Sequence, residues 1–139
     1  MSHNPLPILV FAALTACSAE TGASVRIEQP LDGALITADS VRIVLAASGI
    51  EIAQADGLDT PGRAHHHVFL DADLSAADQP IPAGQPGIVH LGTGVSEVTL
   101  TGLTPGRHRL IAVLALGNHV PLDPWAVDTV FITVQAPTE

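Results

Sequence analysis

His65-His66-His67-Val68-Phe69-Leu70-Asp71 reads as a β-strand, because its side chains sort by a period of two. His66, Val68 and Leu70 share one face, and His65, His67, Phe69 and Asp71 share the other. The same period runs outward in both directions. Val25 and Ile27 alternate with Arg26 and Glu28, Pro30-Leu31-Asp32-Gly33 makes a turn, and Val41, Ile43 and Leu45 form a second strand. Beyond the histidines, Gly87 to Leu91, Ser96 to Thr101, Arg107 to Leu116 and Ala126 to Val134 continue the pattern between breaks rich in Gly, Pro and Asp. Helix signals are absent, so the chain is expected to be all-β with about seven strands.

Seven short strands with turns between them suggest an immunoglobulin-like β-sandwich, with strands lettered A to G in chain order. The segment Leu103-Thr104-Pro105-Gly106-Arg107-His108-Arg109-Leu110 resembles the entry into strand F of immunoglobulin-like and fibronectin-like domains. His108 stands where those domains place a corner tyrosine, and it is expected to be structural, bonded to backbone there. In such a sandwich the B–C, D–E and F–G connections gather at one pole. His65, His66 and His67 open strand C, His90 ends strand D, and His119 lies in the F–G loop, so all five belong to that pole, with His108 about a strand's length away.

Six histidines in a domain without lysine or tyrosine invite a metal, since neutral imidazole is the commonest protein ligand for zinc and copper. His65 and His67 project from one face about 6.6 to 7 Å apart along the strand, a gap two imidazoles can close onto one ion. His119, in Gly117-Asn118-His119-Val120-Pro121, is the third expected ligand and His90 the fourth. His66 faces the core and is read as a buried, hydrogen-bonded neighbour of the site. Asp71 suits a role orienting one of the imidazoles. Asp56 and Asp59 in the B–C loop are read as solvated, and Trp125 as a cap over the sandwich end. The ion expected is copper or zinc. With no methionine after Met1 and a single cysteine, a Cu(I) site or a thiolate cage does not fit.

The N-terminus decides the compartment. Pro5 to Leu14 is an apolar run too short to span a bilayer, and it ends in Leu14-Thr15-Ala16-Cys17, which resembles a bacterial lipoprotein signal with its lipobox. Residues 1–17 are expected to be the signal peptide, Cys17 the lipid attachment point, 18–24 a polar tether, 25–135 the folded domain and 136–139 a tail. Ser18 after the cysteine favours the outer membrane, facing the periplasm. All five arginines and all fourteen acidic residues lie beyond Cys17, so the mature part carries the whole net charge of −9. Nucleic-acid binding, which needs clustered Lys or Arg, is excluded. The expected partner is the membrane, through the lipid.

Gly62-Arg63-Ala64-His65-His66-His67-Val68-Phe69-Leu70-Asp71, Asp78-Gln79-Pro80-Ile81-Pro82, Val89-His90-Leu91-Gly92 and Gly117-Asn118-His119-Val120-Pro121 together resemble the bacterial domain-of-unknown-function family 4399 of exported proteins and lipoproteins. The resemblance spans Ile27 to Val134. The family pattern places glycine beside the three histidines and often a second histidine after Val-Pro. This chain has Ala64 and Leu122 there, which removes one possible ligand. The resemblance implies no established activity.

Three classes of function follow. The first is an envelope module holding Cu(II) or Zn(II) through three or four imidazoles. The second is a metal-free adhesion or assembly domain whose histidines are structural. The third, a metal-dependent hydrolase or redox enzyme, would need an open metal position with Asp71 as base. Without a nucleophile motif, a phosphate loop or paired carboxylates, no enzyme is expected.

Overall fold

The structure is a computed structural model that describes residues 22–136. The signal peptide, Cys17, residues 18–21 of the expected tether and 137–139 of the tail lie outside the described residues, and Ser24 already belongs to the first strand. Nine strands make up the domain: β1 Ser24–Gln29, β2 Ala34–Ile36, β3 Val41–Ser48, β4 Glu51–Ile52, β5 Arg63–Leu70, β6 Ile88–Leu91, β7 Glu97–Leu100, β8 Gly106–Ala115 and β9 Val127–Val134. Seven match the strands anticipated from the alternation. The other two, β2 and β4, have only three and two residues, too few to display a period.

Two sheets face each other, one ordered β1-β3-β7 and the other β2-β9-β8-β5-β4, with β6 also paired to β5. Between them the alternating positions interdigitate as in an aligned β-sandwich. Ile43, Val68, Leu110, Ala112 and Leu114 are all at 0 % exposure in this core. Burying a side chain of Val, Leu or Ile size contributes about 1.5–3 kcal/mol.

One topological expectation is corrected. Lettering in chain order makes Gly87–Leu91 strand D of the sheet opposite the histidines. Instead β6 runs antiparallel beside β5, with His67 opposite His90 and Val68 opposite Val89. The chain leaves β5, crosses the outer face of the same sheet through residues 71–87, and returns to the free side of β5, where the Leu70 N–H donates to the Gly87 carbonyl. Alternation assigns faces along a strand, but it does not say which neighbour the strand will pair with.

That crossing has a second effect. One face of an antiparallel sheet commonly stays wet. Here the outer face of β5 and β8 is dry: Phe69, Ile111, Val113 and Ala115 pack with Ile81 from the crossing segment and with half-buried Trp125. Trp125 therefore covers the outside of this sheet and not the end of the sandwich. β5 is buried on both faces through six consecutive residues, Ala64–Phe69, which is how three histidines come to lie inside the protein.

Candidate metal centre

Two strands and one hairpin bring four imidazoles together. His65 and His67 leave β5 on the outer face, and cross-strand pairing puts His90 of β6 directly opposite His67. On the other side of β5, His65 faces Ala115 of β8, where the small side chain leaves room. His119 reaches that room because β8 continues into a tight hairpin: Ala115 bridges Pro121, the Leu116 N–H donates to Val120, and the His119 N–H donates back to Leu116. A three-residue hairpin loop of this kind usually closes with a left-handed residue, most often glycine. His119 occupies that place at φ 72°. A non-glycine residue there is uncommon and costs on the order of 1–3 kcal/mol, the sort of strain that concentrates at functional positions.

The rings meet closely. Nε2 of His65 and Nε2 of His67 are 2.9 Å apart. Ring centroids are 4.9 Å apart for both His65–His90 and His67–His90, 5.0 Å for His65–His119 and 4.6 Å for His90–His119. One nitrogen from each of the four can be chosen so that all lie within 4.8 Å of one another. His65 and His67 are 0 % and 1 % exposed, His119 is half-buried and His90 is exposed. The set is therefore an interior pair topped by an outer pair.

Burial and crowding favour the neutral form of His65, His67 and His90. Burial, and then the mutual repulsion of the clustered imidazoles, pushes His65 from its ordinary 6.5 down to about 4. The same causes bring His67 to about 3, and His90 is also lowered. Neutral imidazoles offer lone pairs at neutral pH, which is the form a metal requires. Nε2 of His119 is buried without a protein partner, as are Nδ1 of His65 and Nδ1 of His67. Buried polar atoms normally find partners, so an unpaired ring nitrogen inside a group of four is a fitting place for a cation.

His66 does not join them. Its side chain lies on the inter-sheet face, where burial lowers it to about 4 and its Nε2 sits 3.4 Å from Ser96 Oγ, a long contact. It stands outside the group of four and acts on His65 and His67 only by adding to their lowering. Asp71 is also corrected: φ 52° turns it away at the end of β5, and its Oδ2 binds His108 Nδ1 at 2.6 Å, at the far end of the sheet. It orients an imidazole, but not one of the cluster. The corner reading of His108 holds, with Nε2 2.7 Å from the Thr104 carbonyl. Since both ring nitrogens meet oxygen acceptors, His108 is shifted above its ordinary range, first by the Thr104 carbonyl and then by Asp71.

Some contributors are not legible as site residues in the sequence. Asp56 stands at the rim, where it raises His65 slightly against the larger lowering effects. Its Oδ1 accepts the Leu58 N–H, and Arg63 Nη1 lies 3.9 Å from its Oδ2. A Cβ added at Gly117 would overlap the Asp56 carboxylate and crowd the Leu58 carbonyl, and one at Gly92 would displace the His90 ring. The approach of Asp56 to the F–G hairpin depends on tertiary packing, which local sequence does not encode. Ile81 closes the back of the site, its N–H donating to the His119 carbonyl at 2.9 Å.

Residues 43–135 match the family described as Domain of unknown function (DUF4399), and the chain belongs to that family. The structure is similar to the fibronectin(III)-like modules of Clostridium thermocellum CbhA, with a TM-score of 0.50 at 14 % identity, covering 82 % of this chain and 99 % of that one. It is also similar to an engineered protein, target OR128 of the Northeast Structural Genomics Consortium. That likeness has a TM-score of 0.50 at 11 % identity and covers 85 % of this chain and 21 % of the other. At these identities the likeness speaks for the fold alone. No curated protein matches the chain.

Proposed function

We propose that this domain binds one divalent transition-metal ion, Cu(II) or Zn(II), between His65, His67, His90 and His119, and that it does so as a lipid-anchored protein of the cell envelope. The observation that carries the metal site is the convergence of four ring nitrogens within 4.8 Å, with burial keeping the inner pair, His65 and His67, neutral. Imidazole nitrogen is a good donor to both ions at about 2.0–2.1 Å. The hydrophobic residues behind the pair, Phe69, Val113 and Ala115, exclude water from the inner side and so strengthen each metal–nitrogen bond. The anchor rests on the apolar run Pro5 to Leu14 and on Cys17. Labelled palmitate should enter the wild-type chain in a lipoprotein-processing host and fail to enter Cys17→Ser.

Isothermal titration of tag-free residues 18–139 with Cu(II) and then Zn(II) tests the metal site. One equivalent should bind, and the double variant His65→Ala, His67→Ala should lose it. A second reading, a metal-free adhesion or assembly domain, is favoured by one distance: 2.9 Å between two imidazole nitrogens is also a normal N–H···N hydrogen bond. Heat no larger than that of a generic acidic surface, unchanged in the double variant, would support that reading instead.

A further inference from the structure

The four histidines do not close around their centre symmetrically. His65 and His67 lie at 0 % and 1 % exposure beneath, whereas His90 and His119 line an open cleft of about 630 Å³. The rest of the cleft wall is small: Ala55, Gly57, Gly92, Thr93, Gly117 and Asn118. A side chain at Gly92 would displace the His90 ring, and one at Gly117 would meet the Asp56 carboxylate and the Leu58 carbonyl. Asp56 accepts from Leu58, and Asn118 Oδ1 accepts from the Val120 N–H. Among the His, Cys, Asp and Glu side chains of the described residues, only the four imidazoles gather within 4.8 Å of one another, so no carboxylate joins them on the cleft side.

The donor spacing agrees with this. For metal–nitrogen bonds of about 2.0–2.1 Å, two donors at a right angle lie about 2.9 Å apart, and two tetrahedral donors about 3.3–3.4 Å apart. The 2.9 Å between the Nε2 atoms of His65 and His67 matches the right-angle case, the angle between neighbouring donors in a tetragonal shell.

We propose that an ion held here keeps one coordination position open to the cleft and takes a small monodentate donor there, an anion or an imidazole-type nitrogen. The proposal rests on the metal reading above and adds that the site is a ligand-accepting centre, not a sealed structural one. The small walls leave that position accessible, and the interior pair anchors the ion while the outer face exchanges.

The probe is azide, added to the full mature chain loaded with one equivalent of Cu(II), with paramagnetic resonance first showing nitrogen ligation that is absent in His65→Ala, His67→Ala. Azide should produce a saturable azide-to-copper charge-transfer band and shift the resonance while the copper stays on the protein. Two variants narrow the cleft without touching a ligand, Ala55→Phe on its wall and Thr93→Trp at the exposed turn. Each should leave copper affinity within about threefold and weaken azide at least tenfold. If one variant fails to fold, the other carries the test. A resonance unchanged by azide, with copper still bound by nitrogen, would overturn the open position and leave the metal site standing. An azide affinity equal in both folded variants and the wild type would also overturn it. Failure of the wild type to bind copper through nitrogen would remove both.

Discussion

The histidine cluster and the corner histidine His108 lie at opposite ends of one sheet and are driven to opposite protonation states. His65 and His67, with only each other and two more imidazoles for company, are lowered to about 4 and about 3. His108 is also buried, though nearer the surface at 8 % exposure, and it is raised, because the Thr104 carbonyl and the Asp71 carboxylate take its two N–H groups. Asp71 answers in kind: burial would raise it, but the Arg109 N–H, His108 and nearby positive charge outweigh that and hold it low. Burial alone therefore does not decide what a histidine is for. Rings that face acceptors become cationic braces. Rings that face one another stay neutral and leave their lone pairs to a metal.

Separating the two roles by substitution should give the largest effect. In His65→Ala, His67→Ala, metal affinity should fall by more than the roughly 10–100-fold typical of losing an outer hydrogen-bond partner. His108→Ala should leave affinity unchanged within about twofold in the same titration. It should instead lose about 2–3 kcal/mol of stability in urea unfolding, the cost of removing a buried group with charge-assisted bonds. An equal loss of metal binding in both variants would erase the distinction.

Metal removal comes next. At a free ion concentration 100 times its dissociation constant, binding adds about 2.7 kcal/mol to stability. Thermal unfolding should therefore shift upward on loading and return with a chelator, in the wild type and in His108→Ala alike, but not in His65→Ala, His67→Ala.

The pH dependence should carry opposite signs at the two ends. For the metal-free chain, His65, His66 and His67 titrate at about 4, 4 and 3 when folded and near 6.5 when unfolded. Between those values the unfolded chain binds more protons, so stability falls as pH drops from about 6.5 toward 4. The loss at pH 5 should be about 1–2 kcal/mol per buried histidine. His108 is raised, so its contribution is complete below 6.5 and is lost as pH climbs through its folded value. Urea titrations at pH 5 and 7.5 should show the acid loss growing in His108→Ala and shrinking in the double variant.

The smallest effect tests the strained hairpin. His119→Gly relieves φ 72° and should stabilise the metal-free protein by up to about 1 kcal/mol, while weakening metal binding. Greater stability with unchanged affinity would remove His119 from the ligand set.

Most of the fold was legible because period-two alternation survives in β1, β3 and β9: Val41, Ile43 and Leu45 turn inward in β3 as the pattern requires. The four converging histidines were legible for the same reason, since side-chain alternation plus the pole of a sandwich places them. What escaped has a physical explanation. β6 pairs with β5 through a choice of edge that local sequence does not encode. Asp71 lies on the expected face by alternation, but a left-handed φ at the strand end swings it to His108. The dry outer face depends on Ile81, a single apolar residue in a Pro-rich stretch, folding back over Phe69 and Val113.

The most direct measurement is anomalous diffraction at the metal edge from crystals of the mature chain loaded with one equivalent of Cu(II) or Zn(II). A single peak at about 2.0–2.1 Å from one ring nitrogen each of His65, His67, His90 and His119 is the predicted result. A peak on surface carboxylates, or four histidine rings unchanged beside no peak at all, would contradict it.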